Sequence, residues 1–118
     1  MDLYKSETGV VYLDNEDYLK RVFSQIARDF DMSGVPFEGE NESPSSYKEL
    51  YDLTLRNIST LINEGSILFK NLLYRIDVSE KKIHQRMLLR NETQLDEVVS
   101  KMIIERCLQK VLTKEKYS

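Results

Sequence analysis

Residue types that carry catalytic or metal chemistry are scarce in this sequence of 118 residues. It contains one cysteine, one histidine, four glycines and no tryptophan. Cys107 has no second cysteine with which to form an internal disulfide, which agrees with a reducing compartment. The glycines form neither a phosphate-binding loop nor a dinucleotide-binding pattern, and no serine lies in the tight turn of the serine hydrolases. The sequence therefore favours a role other than catalysis, and we expect no cofactor.

Long apolar runs are also absent. No stretch approaches the roughly 18 consecutive apolar residues of a membrane span. The polar start, Met1 to Glu7, lacks the basic and apolar parts of a secretory signal. We therefore predict a cytoplasmic protein without membrane contact. Hydrophobic residues nevertheless make up 41% of the chain and charged residues 31%, which is typical of a globular domain with a hydrophobic core.

Charge is unevenly distributed along the chain. Residues 1–46 hold four basic and ten acidic side chains, a net charge of -6, whereas residues 47–76 carry +1 and residues 77–118 carry +2. This imbalance favours contact between the two ends, within one molecule or between molecules. A charge of +2 over the last segment is a small footprint for binding phosphates.

Apolar residues recur at helical spacing over most of the chain, and capping residues precede each periodic segment. The pattern predicts an all-α, four-helix bundle-like single domain with one long central helix and a short N-terminal extended arm. The predicted elements are a docked arm or short strand over 1–14, helices over 15–32, 46–76, 78–90 and 93–114, and an acidic loop over 33–46. Within that loop, we expect residues 37–46 to be mobile and dispensable for folding.

The long helix is predicted to run through Gly65, because the apolar stripe keeps its phase on both sides of that glycine. A missing side chain at the centre of the stripe would let another helix cross closely there. Such a helix would be about 45 Å long, more than the width of a compact domain of this size. The overhang favours a homodimer.

The last helix has two apolar faces. Val98 and Met102 point to one side, and Ile104 and Leu108 point nearly opposite. The second face must therefore be covered by another helix of this chain or by another protein. Two further residues, Ile67 and Tyr74, lie off the apolar stripe of the long helix. The candidate protein interface consists of Ile67, Tyr74, Ile104 and Leu108.

A short basic segment, residues 81–90, suggests nucleic-acid binding as an alternative to a protein interface. Its position shortly before another helix resembles a helix-turn-helix entry, although acidic residues occupy the start of the following helix. The candidate phosphate contacts are Lys81, Lys82, Arg86 and Arg90.

His84 lies four residues after Glu80, so the two side chains could share one helix face. Two ligands are too few for a metal site, and the inward carboxylates and Glu-x-x-His pairs of helical di-metal sites are missing. Cys107 lies on an apolar stripe, where a thiol behaves as a small hydrophobe. We therefore predict no metal site and a structural role for the cysteine.

These observations favour a small protein-interaction or scaffold protein that binds a second copy of itself or another protein. A nucleic-acid-associated regulator, using the basic face of residues 81–90, is the alternative. A small enzyme of undetermined class is the second alternative.

Overall fold

The computed structural model describes residues 12–39, 41–65 and 67–117. This part of the chain contains helices and no strands, which confirms the all-α class. The described residues form one compact body with a radius of gyration of 13.4 Å and extents of 35 × 33 × 26 Å. Its five helices are α1 (Glu16–Met32), α2 (Tyr47–Asn63), α3 (Leu68–Ile76), α4 (Glu80–Arg90) and α5 (Leu95–Tyr117).

Short polar side chains begin three of these helices. The side chain of Asn15 accepts hydrogen bonds from the first amides of α1, and Ser46 Oγ accepts from the amide of Glu49 in α2. Ser79 Oγ accepts from the amide of Lys82 at the start of α4. Each contact satisfies an amide that has no partner inside its helix. Hydrogen bonds from Ser45 also lower the pKa of Glu49.

The predicted continuous helix over 46–76 is wrong, because α2 ends at Asn63 and α3 begins at Leu68. Gly65 has a φ of +62°, the left-handed region that L-residues rarely adopt. A Cβ added at Gly65 would meet no atom within 4 Å, so no helix crosses closely at this position. The glycine allows the chain to turn rather than two helices to approach.

The break has a packing cause. A straight helix over 46–76 would be about 45 Å long, whereas the longest extent of the described residues is 35 Å. The turn at Gly65 brings α3 against α1, α2 and α5. Leu72, Leu73 and Ile76 are buried as a result. Burial of these apolar side chains stabilises the broken arrangement. A continuous helix would instead have extended beyond the rest of the domain.

Helix α5 is the central helix of the fold. It contacts each of the other four helices, and its 23 residues give a length of about 34 Å, close to the longest extent of the body. Val98 and Val99 are fully buried, and so are Ile104 and Leu108, which lie further along the helix. Both apolar faces of α5 are therefore covered within one chain.

The first residues of the segment predicted to be mobile, 37–46, pack against the helices. That the segment is dispensable for folding stays a prediction. The ring of Phe37 lies 4.8 Å from that of Phe30, and Phe37 is buried. Asn57 of α2 binds the backbone of Glu38 twice, with Nδ2 donating to the carbonyl at 3.0 Å and Oδ1 accepting from the amide at 2.9 Å. These contacts fix the start of the loop, which its polar composition did not indicate.

The predicted arm over residues 1–14 falls mostly outside the described residues. Of its described part, Tyr12 and Leu13 have helical backbone, and Leu13 is buried in the core.

Candidate functional site

Two of the four predicted interface residues lie on the outer side of α3, Tyr74 within the helix and Ile67 at its N-cap position, where the backbone is already helical. Tyr74 is 90% exposed and Ile67 is 75% exposed. The two residues are seven positions apart in the sequence, so they lie within about 20° of each other around the helix and about 10.5 Å apart along its axis. We call this pair of side chains the α3 outer face. Lys70 and Asn71 lie between them on the same side of the helix.

The other two predicted interface residues do not reach the surface. Ile104 is 1% exposed and Leu108 is 0% exposed within a single chain. The assignment of Ile104 and Leu108 to a protein interface is therefore corrected, because the chain's own helices already cover both side chains. The two-sided apolar pattern of α5 results from its central position.

The four predicted phosphate contacts divide into two groups. Arg86 binds Glu105 of α5 through two hydrogen bonds, Nη1 to Oε2 at 2.5 Å and Nη2 to Oε1 at 3.0 Å. The side chains of this pair are only 11% and 7% exposed, so Arg86 mainly joins α4 to α5. In contrast, Lys81, Lys82 and Arg90 are exposed.

A concave surface of about 510 Å³ runs between α4 and α5. Its two walls carry four basic side chains, and its apolar lining comes from one valine and one methionine. We call it the basic groove, and it is lined chiefly by Lys82, Arg86 and Arg90 of α4, Met102 and Arg106 of α5, and Val78 between α3 and α4.

Two carboxylates also line the basic groove, and each one binds an arginine. Glu105 binds Arg86 as described above, and Asp77 Oδ2 accepts from Arg106 Nη2 at 3.2 Å. Within the described part of the chain, neither Lys82 nor Arg90 has an ion pair. Two of the four basic groups are thus held by carboxylates, while the other two have no acidic partner.

A second polar cluster is buried where α1, α3 and α5 meet. The carboxylate of Asp29 is 1% exposed and accepts hydrogen bonds from Gln25 Nε2, at 3.2 Å to each oxygen. Lys110 Nζ lies 3.1 Å from Asp29 Oδ2, and Arg75 Nε lies 3.5 Å from Oδ1. This arrangement compensates the buried charge with two cations and one amide, which is the usual requirement for burying a carboxylate.

Cys107 lies next to this cluster, with its thiol donating to Asp29 Oδ2 over 3.6 Å. Burial, supported by the negative charge of Asp29, raises the pKa of the Cys107 thiol. A thiol that is protonated and fully buried is neither a nucleophile nor a metal ligand. The Asp29 cluster therefore has the chemistry of a structural contact, in agreement with the role predicted for Cys107.

His84 lies on the exposed side of α4. Among the described residues, no group of three or more histidine, cysteine and acidic side chains is arranged to hold a metal ion. Nor does any helix in residues 12–39, 41–65 and 67–117 combine the length and apolar character that a membrane crossing requires.

Sequence reasoning missed the two buried carboxylates. Gln25 and Asp29 are one turn apart on α1, and both are buried. The partners of Asp29 and Glu105 lie on other helices, 81 residues away for Lys110 and 19 residues away for Arg86. Helical periodicity identifies pairs within one helix, so it contains no signal for these contacts.

No family model, curated protein or solved structure matches this chain. The exposed and buried chemistry of the described residues is therefore the basis for a functional assignment.

Proposed function

We propose that this protein is a helical interaction protein that forms a homodimer through the α3 outer face. The observation that carries the proposal is the exposure of Tyr74 and Ile67 on one side of a helix whose opposite side is buried. Tyrosine is enriched in the contact regions of protein interfaces because it combines an apolar ring with a polar tip. A reducing, cytoplasmic setting belongs to the same proposal and is supported by the free thiol of Cys107.

The spacing of the two residues favours a second copy of the chain as the partner. If two α3 helices pack antiparallel about a twofold axis, Ile67 of one copy faces Tyr74 of the other, and the reverse contact forms at the same time. Lys70 then faces Asn71, so the centre of the contact brings no lysine directly opposite another lysine. One helix face thus provides both halves of a symmetric interface.

The contact should be weak. Helix α3 has nine residues, and a standard interface buries about 800 Å² on each partner, more than one short helix provides. We expect a dissociation constant in the micromolar range. Neighbouring exposed apolar residues, such as Met32 at the end of α1, are available to enlarge the contact.

Sedimentation analysis over about a hundredfold range of concentration around that constant tests the proposal. We expect the wild-type protein to change from monomer to dimer and Tyr74→Arg to shift the equilibrium at least about tenfold toward monomer, because the new charge would be buried in the contact. Leu88→Arg is the matched control, since Leu88 is 76% exposed on α4 and lies outside the α3 outer face. Circular dichroism should show the same helicity for all three proteins.

A cross-linking experiment tests the antiparallel register. A mixture of Ile67→Cys and Tyr74→Cys proteins should form a disulfide-linked dimer under mild oxidation, faster than either variant alone. The buried Cys107 should not compete. A protein that stays monomeric throughout the concentration range, or one that Leu88→Arg dissociates as strongly as Tyr74→Arg, would contradict the proposed interface.

The two alternatives have less support. The nucleic-acid alternative loses one of its four predicted phosphate contacts, because Glu105 holds Arg86, whose side chain is 11% exposed. The enzyme alternative needs an accessible reactive group, and the thiol of Cys107 is buried.

A further inference from the structure

The basic groove combines a concave shape with two cations, Lys82 and Arg90, that have no ion pair among the described residues. Lys82, Arg86 and Arg90 occur at intervals of four residues on α4, so their side chains lie along one side of the helix, about 6 Å apart from turn to turn. Arg106 faces them from α5. Each i, i+4 pair of like charges on α4 includes Arg86, and Glu105 compensates the charge of this arginine. Lys82 and Arg90 are therefore the groove cations whose charge a bound anion would balance.

We propose that the basic groove binds a small phosphate ester, with Lys82 and Arg90 as the direct phosphate contacts. Glu105 holds Arg86, and Asp77 holds Arg106. These two arginines contribute positive potential from fixed positions, because carboxylates hold the Nη groups of Arg86 and Nη2 of Arg106. Lys82 and Arg90 are exposed and retain their donors for a ligand.

The charge of the groove matches a phosphate monoester. Four cations less two carboxylates leave a net charge of +2, in a protein whose formal charge is -3. A phosphate monoester carries about -1.5 to -2 at neutral pH and offers several acceptor oxygens. Val78 and Met102 provide an apolar lining for the organic part of the ester.

The size of the groove favours a small ligand over a nucleic-acid duplex. Its volume of about 510 Å³ lies within the range of small-molecule sites, about 300–1,000 Å³. The basic side chains line a concavity between two helices, whereas a duplex is bound by a helix or ribbon that projects into its groove.

Calorimetric titration with phenyl phosphate and with inorganic phosphate tests this proposal and separates an ester from the free ion. We expect phenyl phosphate to bind at a ratio of one to one and more tightly than inorganic phosphate. Lys82→Gln and Arg90→Gln should each weaken its binding by about tenfold, the loss expected for one charge-assisted hydrogen bond. Lys81→Gln is the matched control, because Lys81 is exposed on the same helix and does not line the groove. It should change the dissociation constant less than twofold.

Backbone amide resonances provide a second measurement, with shifts expected around residues 78–90 and 102–109. The absence of saturable binding by phenyl phosphate below about 10 mM would overturn the proposal. So would an equal loss of affinity in Lys81→Gln, which would indicate diffuse surface charge. Tighter binding of random duplex DNA, with the same dependence on Lys82, would replace it with the nucleic-acid alternative. Repeating the titration with Tyr74→Arg keeps this test independent of the proposed dimer, since the groove should bind phenyl phosphate equally well in a monomer.

Discussion

Helix α5 takes part in two buried ionic contacts that differ in what they hold together. Asp29, at the junction of α1, α3 and α5, is neutralised by Lys110 and Arg75, whose side chains are 20% and 39% exposed. Glu105, between α4 and α5, is bound by Arg86, which is itself almost fully buried. The first contact closes a densely packed junction of three helices, whereas the second attaches one peripheral helix beside an open groove.

The two contacts should therefore differ in how much stability is lost when one of their side chains is removed. The cations of Asp29 can turn toward water if the carboxylate is lost, because parts of their side chains are already exposed. Removing Arg86 instead leaves the buried Glu105 without its bidentate partner. Helix α4 has few other attachments, since Ile83 is its one buried residue. We therefore expect the α4 side of the molecule to depend on one ion pair and the opposite side to depend on apolar packing.

We expect the largest loss of folding stability from substitutions in the apolar packing of α5. Replacing both Ile104 and Leu108 with serine should cost about 5 kcal/mol or more, because truncating one buried aliphatic side chain alone costs about 2–5 kcal/mol. This loss is comparable with the whole stability of a typical domain, about 5–15 kcal/mol. Circular dichroism should show an unfolded chain at every protein concentration. A folded monomeric variant would mean instead that these residues form an interface.

We expect the second-largest loss of stability from the ion pair between α4 and α5. Arg86→Met should destabilise the protein by about 3–5 kcal/mol, because it removes the arginine that compensates the buried charge of Glu105. Urea denaturation measures the loss, and hydrogen exchange should show that α4 loses protection before α1 or α2 does. The double variant with Arg86→Met and Glu105→Leu should recover most of the stability, since it removes the charge together with its partner.

Asp29→Asn provides the matched measurement on the opposite side of α5. It should cost about 1–3 kcal/mol, the typical range for a buried polar group that loses part of its hydrogen bonding. A cost equal to or greater than that of Arg86→Met would contradict the distinction drawn between the two contacts.

The smallest effect is a pH dependence caused by Cys107. Below the ordinary thiol pKa of about 8.5, the group is protonated in the folded and unfolded states, so its contribution to stability does not change with pH. Above that value the unfolded chain ionises, while burial keeps the folded thiol protonated because it raises the pKa. Folding stability should therefore fall as pH rises, by about 1.4 kcal/mol at pH 9.5.

Denaturation curves between about pH 8 and pH 9.5, within about one unit of the thiol pKa, measure this slope below the ordinary tyrosine pKa of about 10. Burial raises the pKa of Tyr51 to about 12, so its own contribution begins where the unfolded tyrosine ionises, at about pH 10 and above that range. Cys107→Ala is the control and should remove the slope. A slope that persists in Cys107→Ala would assign the effect to another group.

The sequence predicted the elements that depend on local chemistry. The all-α class followed from apolar periodicity, and the polar residues before α1 and α2 act as caps in the structure. The two apolar faces of α5 also correctly indicated that something covers both sides of this helix. The pattern could not decide whether the cover was this chain or another, because periodicity gives the direction of a face and not the identity of its partner.

Neither the break at Gly65 nor the basic groove could be predicted from the sequence, and the reasons differ. A short non-helical link can preserve the phase of an apolar stripe, so an unslipped stripe does not exclude a turn. The basic stripe of α4 was visible, but the inward position of Arg86 depends on Glu105, which comes from a different helix. Contacts between helices require the tertiary structure, and the helices alone do not specify them.

The central position of α5 also has a consequence for the order of events during protein synthesis. Helices α1, α2 and α4 each make their largest contact with α5, and all three leave the ribosome before it. Their apolar faces therefore lack their main packing partner until residues 95–117 have been translated. Packing of the core is then a late step that follows synthesis of the last helix, in contrast to domains that close progressively from the N-terminus.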